Sequence, residues 1–99
     1  MVKAKSYLTT RWTYPPELRD ALAGLGVAPR PETPPLFVRA AVDDLYRFEL
    51  RRLRDRLRAG VVAKADYLDL VIRLRKKYWM LTLPEPAWEK ICAGPAEGA

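Results

Sequence analysis

The longest periodic pattern of apolar residues in the chain lies within residues 33–60. Plotted at about 100° per residue, its apolar side chains fall within about 140° of arc, which predicts an α-helix over residues 34–59. This core stripe consists of Val38, Val42, Leu45, Tyr46, Leu50, Leu53 and Leu57. Thr33 is predicted to cap the helix, Pro34 to take its first position and Gly60 to end it, because each residue type favours that place.

Beside the core stripe, a second apolar strip on the same predicted helix consists of Phe37, Ala41 and Phe48. A helix that is apolar over so much of its circumference is expected to pack against two neighbours. Glu49 interrupts the apolar arc, where an unpaired carboxylate would be unfavourable. We expect Glu49 to lie at an exposed edge or to pair with an arginine such as Arg52 or Arg56, and a site carboxylate is the alternative.

A second long amphipathic pattern covers residues 64–80 and predicts another helix. Its apolar stripe consists of Tyr67, Leu70, Val71, Leu74, Tyr78 and Leu81. Because only a short turn separates the two long helices, they are expected to form an antiparallel hairpin. Leu68, Ile72 and Trp79 form a separate strip, which we expect to cover a short helix predicted at residues 15–25 or a partner.

The short elements flank this hairpin. Two prolines are predicted to begin the helix at residues 15–25, and Gly24 or Gly26 is predicted to end it. After a proline-rich break, the chain is expected to add one or two further helical turns. These turns would bring Trp88 and Ile91 to the open end of the hairpin.

The predicted fold is therefore all-α, a long antiparallel helical hairpin buttressed by one or two short helices, with an extended N-terminal arm. Residues 1–14 are predicted to form the arm, residues 15–92 a single helical domain and residues 93–99 a flexible tail. One side of the arm carries the apolar side chains Leu8, Trp12 and Tyr14. We expect them to lie on the helical body, with a partner as the alternative.

Charge changes this picture by pointing to a class of partner. The 99-residue chain has 18 basic and 12 acidic residues, a formal charge of +6 and a pI near 9.8. Counted by segment, residues 1–14, 34–60 and 61–83 each carry +3, so the positive charge belongs to the arm and the two long helices. Such a balance favours acidic protein surfaces, nucleic acid or anionic membranes as partners.

Candidate chemistry is scarce. The chain has no histidine and one cysteine, Cys92, which argues against a structural zinc site and against Ser–His or Cys–His catalysis. We expect no enzyme activity, no metal and no cofactor. A lone cysteine suits a reducing compartment, and no apolar run approaches the roughly 20 residues that span a bilayer. The expected location is intracellular, in the cytoplasm.

Four arginines of the first long helix line up at spacings of i, i+4, i+7 and i+11. This arginine edge consists of Arg47, Arg51, Arg54 and Arg58. Asp43 and Asp55 are placed to pair with part of the edge, so a solvated face with weak ion pairs is the simplest interpretation. The functional interpretation is a docking edge for an acidic partner or a phosphate backbone. The end of the next helix adds the expected contact residues Arg75, Lys76 and Trp79.

One string in the first long helix reads Leu45-Tyr46-Arg47-Phe48-Glu49-Leu50-Arg51. It resembles the LYR-x-x-LR opening helix of the LYR-motif family. That resemblance implies a small basic three-helix protein of mitochondria, acting as an accessory subunit or assembly factor for respiratory and iron–sulfur proteins, often with an acyl carrier protein. The family places the motif near the N-terminus, whereas 33 residues precede the helix here, and the family's later phenylalanine has only Tyr67 or Tyr78 as a counterpart. The resemblance covers seven of 99 residues and is local.

Taken together, these patterns predict a non-catalytic interaction protein, an accessory subunit or small adaptor that docks on an acidic protein partner. The alternative is a nucleic-acid-binding protein that uses the same cations of the two long helices. A homodimer is a further expectation, because Phe37 with Phe48, or Leu68 with Ile72 and Trp79, would provide an apolar contact.

Overall fold

The secondary structure is all-α in the computed structural model, which describes residues 11–93. Its elements are α1 (Pro16–Gly24), α2 (Pro35–Arg58), α3 (Lys64–Lys77), a 310 helix (Trp79–Thr82) and α4 (Glu85–Ile91). Residues 11–93 contain no strand, and their only β-type contact is an isolated bridge between Trp12 and Ala93. The predicted all-α fold class is confirmed. None of these helices is long and apolar enough to cross a membrane.

The start of α2 lies one residue later than predicted. Pro34 is extended (φ −64°, ψ 137°) because the following Pro35 disfavours the helical region for the residue before it. Thr33 does not cap the helix, so that prediction is wrong. The Thr33 hydroxyl instead accepts a hydrogen bond from the Arg30 N–H (3.0 Å), and its carbonyl accepts one from the Tyr14 hydroxyl (2.7 Å). Thr33 therefore joins the N-terminal arm to the segment between α1 and α2.

Two glycines with left-handed backbone end α1 and α2. Gly26 (φ 83°) follows α1, and Gly60 (φ 77°) follows α2. After α2, the Val61 N–H donates to the Arg56 carbonyl (2.9 Å), which is the long bond of a Schellman motif. Gly60 ends its helix as predicted, and of the two glycines left open for α1 it is Gly26, not Gly24, that has the left-handed backbone.

The end of α3 lies three residues before the predicted one, at Lys77. Tyr78 leaves the helical region (φ −102°, ψ 36°), and the chain continues as the 310 helix. Arg39 of α2 supports this geometry from a distance, because its Nη2 donates to the Leu81 carbonyl (3.3 Å) and its Nε to the Leu83 carbonyl (3.2 Å). The predicted end at residue 80 is therefore wrong, and the periodicity of residues 64–80 contains no trace of these long-range bonds.

The buried core lies where α1, the first half of α2, the end of α3, the 310 helix and α4 meet. Its buried members are Tyr14, Leu18, Leu22, Val38, Val42, Leu74, Tyr78, Met80, Trp88 and Cys92. Trp88 is fully buried, and its indole N–H donates to the Met80 carbonyl (3.0 Å). Trp88 is therefore a core residue, whereas Ile91 is 40% exposed. Their expected place at the open end of the hairpin stays a prediction.

The described part of the N-terminal arm lies on the helical body. Tyr14 is buried and Trp12 is half-buried against the core. Leu8, the third apolar residue of the arm, lies outside the described residues, as do residues 1–10 and 94–99 in general. The predicted boundaries of arm, domain and tail stay predictions.

From the edge of the core onward, α2 and α3 lie side by side. The rings of Tyr46 and Tyr78 pack with centroids 5.3 Å apart, and Glu49, one turn further along α2, meets Lys77 of α3. α2 contacts both α3 and α4, but the second apolar strip takes no part in the core. Its Phe37 is 70% exposed and its Phe48 is 52% exposed. The two neighbours that were expected to pack against α2 are present, and they pack on the side of its core stripe.

Candidate partner-binding surface

A groove between α2 and α3 brings four cations of the two helices together. We name it the basic groove; it has a volume of about 330 Å³ and is lined by Glu49, Arg52, Leu53, Arg56, Leu70, Arg73, Leu74 and Lys77. Four cations and one carboxylate give it a net charge of +3. Its lining also includes three leucines, so the groove combines an apolar floor with a basic rim.

The helical period explains why these cations share one groove. Arg52 and Arg56 are four residues apart on α2, and Arg73 and Lys77 are four residues apart on α3, so each pair lies on one side of its helix. Both pairs border the apolar stripe through which the two helices pack. Packing the stripes together therefore places the two basic pairs on opposite walls of the same groove.

Glu49 lies at the end of the groove nearest Tyr78. Its carboxylate is 3.3 Å from Nζ of Lys77 and accepts a hydrogen bond from the Tyr78 hydroxyl. Burial, followed by the hydrogen bond and the negative charge of Glu49, raises the pKa of Tyr78 above its ordinary value. Glu49 is thus paired, but the expected arginine partner is wrong: the partners are a lysine and a tyrosine of the neighbouring helix.

The charge of the groove is uneven along its length. Lys77 is offset by Glu49, whereas Arg52, Arg56 and Arg73 form no ion pair with the side chains of residues 11–93. The guanidinium of Arg52 lies 5.8 Å from the ring centroid of Phe48, a cation–π contact that leaves its charge uncompensated. The excess positive charge therefore lies at the end of the groove away from Glu49.

The predicted arginine edge lies on the other side of α2. Each groove arginine of α2 is two positions from an edge arginine, a rotation of about 200°, so Arg54 and Arg58 point away from Arg52 and Arg56. Arg47 pairs with Asp43 at 2.9 Å, and its side chain is 69% exposed. The other edge residues, Arg51, Arg54 and Arg58, are exposed and unpaired within the described residues. The structure thus has two separate basic surfaces.

The predicted contact residues of α3 and the 310 helix are divided. Arg75 and Lys76 are exposed on α3, whereas Trp79 begins the 310 helix and packs half-buried against the core. Trp79 therefore does not continue the strip of Leu68 and Ile72, which are 63% and 50% exposed, and the predicted three-residue strip is wrong. None of the seven predicted contact residues lines the basic groove. Their role in contact stays a prediction.

Groups with chemical potential elsewhere are held in the core. Cys92 is fully buried, and burial raises the pKa of its thiol to about 11, so the group is a neutral thiol near pH 7. Burial, with a smaller contribution from Cys92, also raises the pKa of Tyr14, whose hydroxyl donates to the Thr33 carbonyl. Among residues 11–93, no three Cys, Asp or Glu side chains cluster in a way that would hold a metal ion.

No protein-family model, curated protein or solved structure matches this chain. The seven-residue likeness to the LYR-motif family is thus unaccompanied by a match to any family model. What the chain does must be argued from its own surfaces.

Sequence reasoning missed the basic groove although part of the signal was present. The two i, i+4 basic pairs, Arg52 with Arg56 and Arg73 with Lys77, flank the two apolar stripes. A search for cations bordering the predicted helix–helix contact would have found all four. The arginine edge was predicted instead because the spacing of four arginines along one helix can be recognised without any tertiary information.

Proposed function

We propose that this protein is a non-catalytic interaction protein of the cytoplasm, an accessory subunit or adaptor that docks on an acidic surface of a protein partner. The observation that carries the proposal is the excess of cations with no ion pair among residues 11–93 on both sides of α2, in the basic groove and along the arginine edge. An isolated surface cation is ordinary, but arginines on two walls of one groove repel each other and are favoured by an anionic neighbour.

Exposed apolar side chains support a protein partner. Phe48 on α2 and Leu68 and Ile72 on α3 are each at least half exposed. Specific protein interfaces combine an apolar core with a polar rim and are enriched in arginine and aromatic residues. Apolar side chains next to guanidiniums suit such an interface better than a purely ionic contact.

The distribution of reactive groups supports a non-catalytic role. The chain has no histidine, its one cysteine is a buried neutral thiol, and the exposed Glu49 carboxylate is held by Lys77 and Tyr78. General acid–base catalysis near pH 7 needs a group that titrates there and reaches a substrate. The described residues bring no such pair of groups together in the groove.

Nucleic-acid binding is the second candidate, and one contact favours it. Arg52 lies over the half-exposed ring of Phe48, and a cation beside an aromatic face is a combination that holds a phosphate and a stacked base. Its binding would be dominated by counterion release and would fall log-linearly with salt. A protein interface with an apolar core resists salt better.

The test is affinity capture of the tagged full chain from its own lysate, with and without nuclease, over rising salt, followed by mass spectrometry. We expect one stoichiometric protein that survives nuclease and moderate salt and that has an acidic surface. A variant in which Arg51 and Arg54 of the edge and Arg56 and Arg73 of the groove become glutamine should lose that protein. Signal that disappears with nuclease would establish the nucleic-acid candidate in its place.

The homodimer is tested separately by light scattering over a range of protein concentrations. A dimer through the exposed side chains of α2 or α3 predicts a mass that rises with concentration and falls when Phe48 or Leu68 becomes serine. A strict monomer at high concentration would overturn it and leave the exposed apolar residues for a different partner.

A further inference from the structure

We propose that the basic groove holds a short acidic, amphipathic segment of the partner protein, with an apolar side chain on the leucine floor and carboxylates on the arginine rim. This inference rests on the proposed function and adds where the partner docks and which chemistry the docking segment has. It also moves the principal docking site from the predicted arginine edge to the opposite side of α2.

The floor of the groove is formed by leucines and favours an apolar group of the bound segment. Leu53 is 8% exposed and Leu74 is 9% exposed, while Leu70 is half-buried, so each retains some contact with water inside the groove. A leucine-sized side chain placed there would remove that remaining apolar surface from water. The volume of about 330 Å³ is at the lower end of the range for ligand pockets, which suits one or two side chains and not a folded domain.

The rim of the groove is formed by arginines and favours carboxylates of the bound segment. Arg52, Arg56 and Arg73 stand around the floor without an ion pair among residues 11–93. A guanidinium matches the planar geometry of a carboxylate with two parallel hydrogen bonds, and such charge-assisted bonds are about twice as strong as neutral ones. Acidic residues on either side of the apolar anchor would reach both walls of the groove.

Glu49 makes the charge of the groove asymmetric along its length. It neutralises Lys77 at the Tyr78 end, so the positive charge is concentrated around Arg56 and Arg73. A segment whose acidic residues lie toward one end fits this distribution. A nucleic-acid backbone carries a phosphate at every nucleotide and would meet Glu49, and no aromatic residue is among the groove lining to stack a base. The groove therefore favours a protein segment over nucleic acid.

A binding role and a structural role predict opposite results at these arginines. In the free protein, Arg52, Arg56 and Arg73 repel one another, and none of them holds the fold through an ion pair with the described residues. Replacing them should leave stability unchanged or raise it slightly, while binding falls. A structural arginine would lower stability when replaced.

The experiment measures fluorescence anisotropy of two labelled peptides of about 15 residues, long enough for marginal helix formation. One has leucines at helical spacing flanked by glutamates, and the other has the same charge with serine in place of each leucine. Each peptide is titrated with the full chain, with the groove variant Arg52→Gln/Arg56→Gln and with the edge variant Arg54→Gln/Arg58→Gln. The edge variant is a matched control, because it removes the same charge at the same spacing from the same helix.

We expect the leucine peptide to bind the full chain at least about tenfold more tightly than the serine peptide. The groove variant should weaken the leucine peptide about tenfold, and the edge variant should change it less than about threefold, since long-range charge alone is screened by salt. Thermal melts of both variants should match that of the full chain, which shows that lost binding is not lost folding.

Several results would overturn the groove as the docking site. If the two double variants lose the same affinity for the leucine peptide, binding depends on overall charge and not on the groove. If the two peptides bind with equal affinity, no apolar side chain is held on the leucine floor. Tighter binding of a single-stranded oligonucleotide that displaces the leucine peptide would assign the groove to nucleic acid. If lysate capture still returns an acidic protein in any of these cases, the proposed function survives without the groove. If capture returns none, the proposed function fails on its own terms.

Discussion

The two ends of this molecule are built in different ways. At the packed end, formed by α1, the first half of α2, the 310 helix and α4, side chains such as Leu18, Leu22 and Trp88 are almost or completely buried. In the distal pair, formed by the second half of α2 and most of α3, the buried side chain of Leu53 keeps 8% exposure, as does Val62 in the turn between the two helices, and the remaining surface is largely basic. The two ends also differ in what their polar side chains bind.

Side-chain hydrogen bonds at the packed end are made to backbone carbonyls, as Trp88 does to Met80 and Arg39 to Leu81 and Leu83. Those bonds fix the path of the chain. Most cations of the distal pair hold nothing in place within the described residues. The packed end thus holds the fold, and the distal pair displays charge that is unpaired among the described residues.

The largest expected effect is at Trp88. Trp88→Ala should lower the free energy of unfolding by about 3–5 kcal/mol, because it leaves a large cavity at the packed end and removes the donor to the Met80 carbonyl. Ile91→Ala on the same helix should cost less than about 1 kcal/mol, since Ile91 is 40% exposed. Urea denaturation measures both. Similar losses for the two variants would show that the core extends beyond Trp88 to the outer side of α4.

The next effect is a loss of stability in alkali that originates at the packed end. Burial raises the pKa of Cys92 from 9.0 to about 11, so the folded state holds the thiol proton more tightly than the unfolded chain does. The stabilisation is complete below about pH 9 and is lost as pH rises toward about 11, by an amount on the order of 2 kcal/mol.

Denaturation midpoints measured between about pH 8 and pH 11 test this decline. Cys92→Ala should flatten the curve below about pH 10, while Tyr14 and Tyr78, whose pKa values burial also raises above the ordinary value of 10.0, contribute above it. A curve for Cys92→Ala that runs parallel to that of the full chain would contradict the assignment to the thiol.

A smaller effect tests the turn that ends α2 in the distal pair. Gly60 has φ 77°, where an L side chain is strained even though nothing lies within 4 Å of the place that a Cβ would occupy. Gly60→Ala should therefore cost about 1 kcal/mol. Gly24 lies in the helical region of α1, also with open space around it, and Gly24→Ala should instead add about 0.5–1 kcal/mol. Thermal unfolding of the two variants distinguishes backbone strain from crowding. Crowding by the added Cβ would lower the stability of both variants.

The smallest expected effect is at Arg56. Arg56→Gln should change stability by no more than about 0.5 kcal/mol, with a slight gain at low salt that disappears at high salt, because it relieves repulsion within the basic groove. Arg58→Gln, on the exposed edge, should show no such salt-dependent gain. A clear loss of stability for Arg56→Gln would mean that the groove arginine supports the fold.

Much of the local structure follows from the sequence because it depends on neighbours within one or two turns. The apolar period predicted α2 and α3, and the prolines and Gly60 marked the helix ends to within one residue for α2. These signals are local: a helical stripe, a residue with a fixed φ and a residue that tolerates positive φ. The all-α class follows from them directly.

Other features required the tertiary structure. Arg39 binds the Leu81 and Leu83 carbonyls beyond the end of α3, more than forty positions away in the chain, and the partner of Glu49 comes from α3 instead of from its own helix. The exposure of Phe37 and Phe48 was decided by which side of α2 the core occupied.

The basic groove belongs to the same group. The number of cations on each helix, and the side of the helix on which each one lies, follow from the sequence and the helical period. Only the packing of α2 against α3 decided which cations meet, because Arg52 and Arg56 become neighbours of Arg73 and Lys77 when the two apolar stripes are buried together. A helix period is set by backbone geometry within a few residues, whereas a site between helices depends on long-range burial of apolar surface.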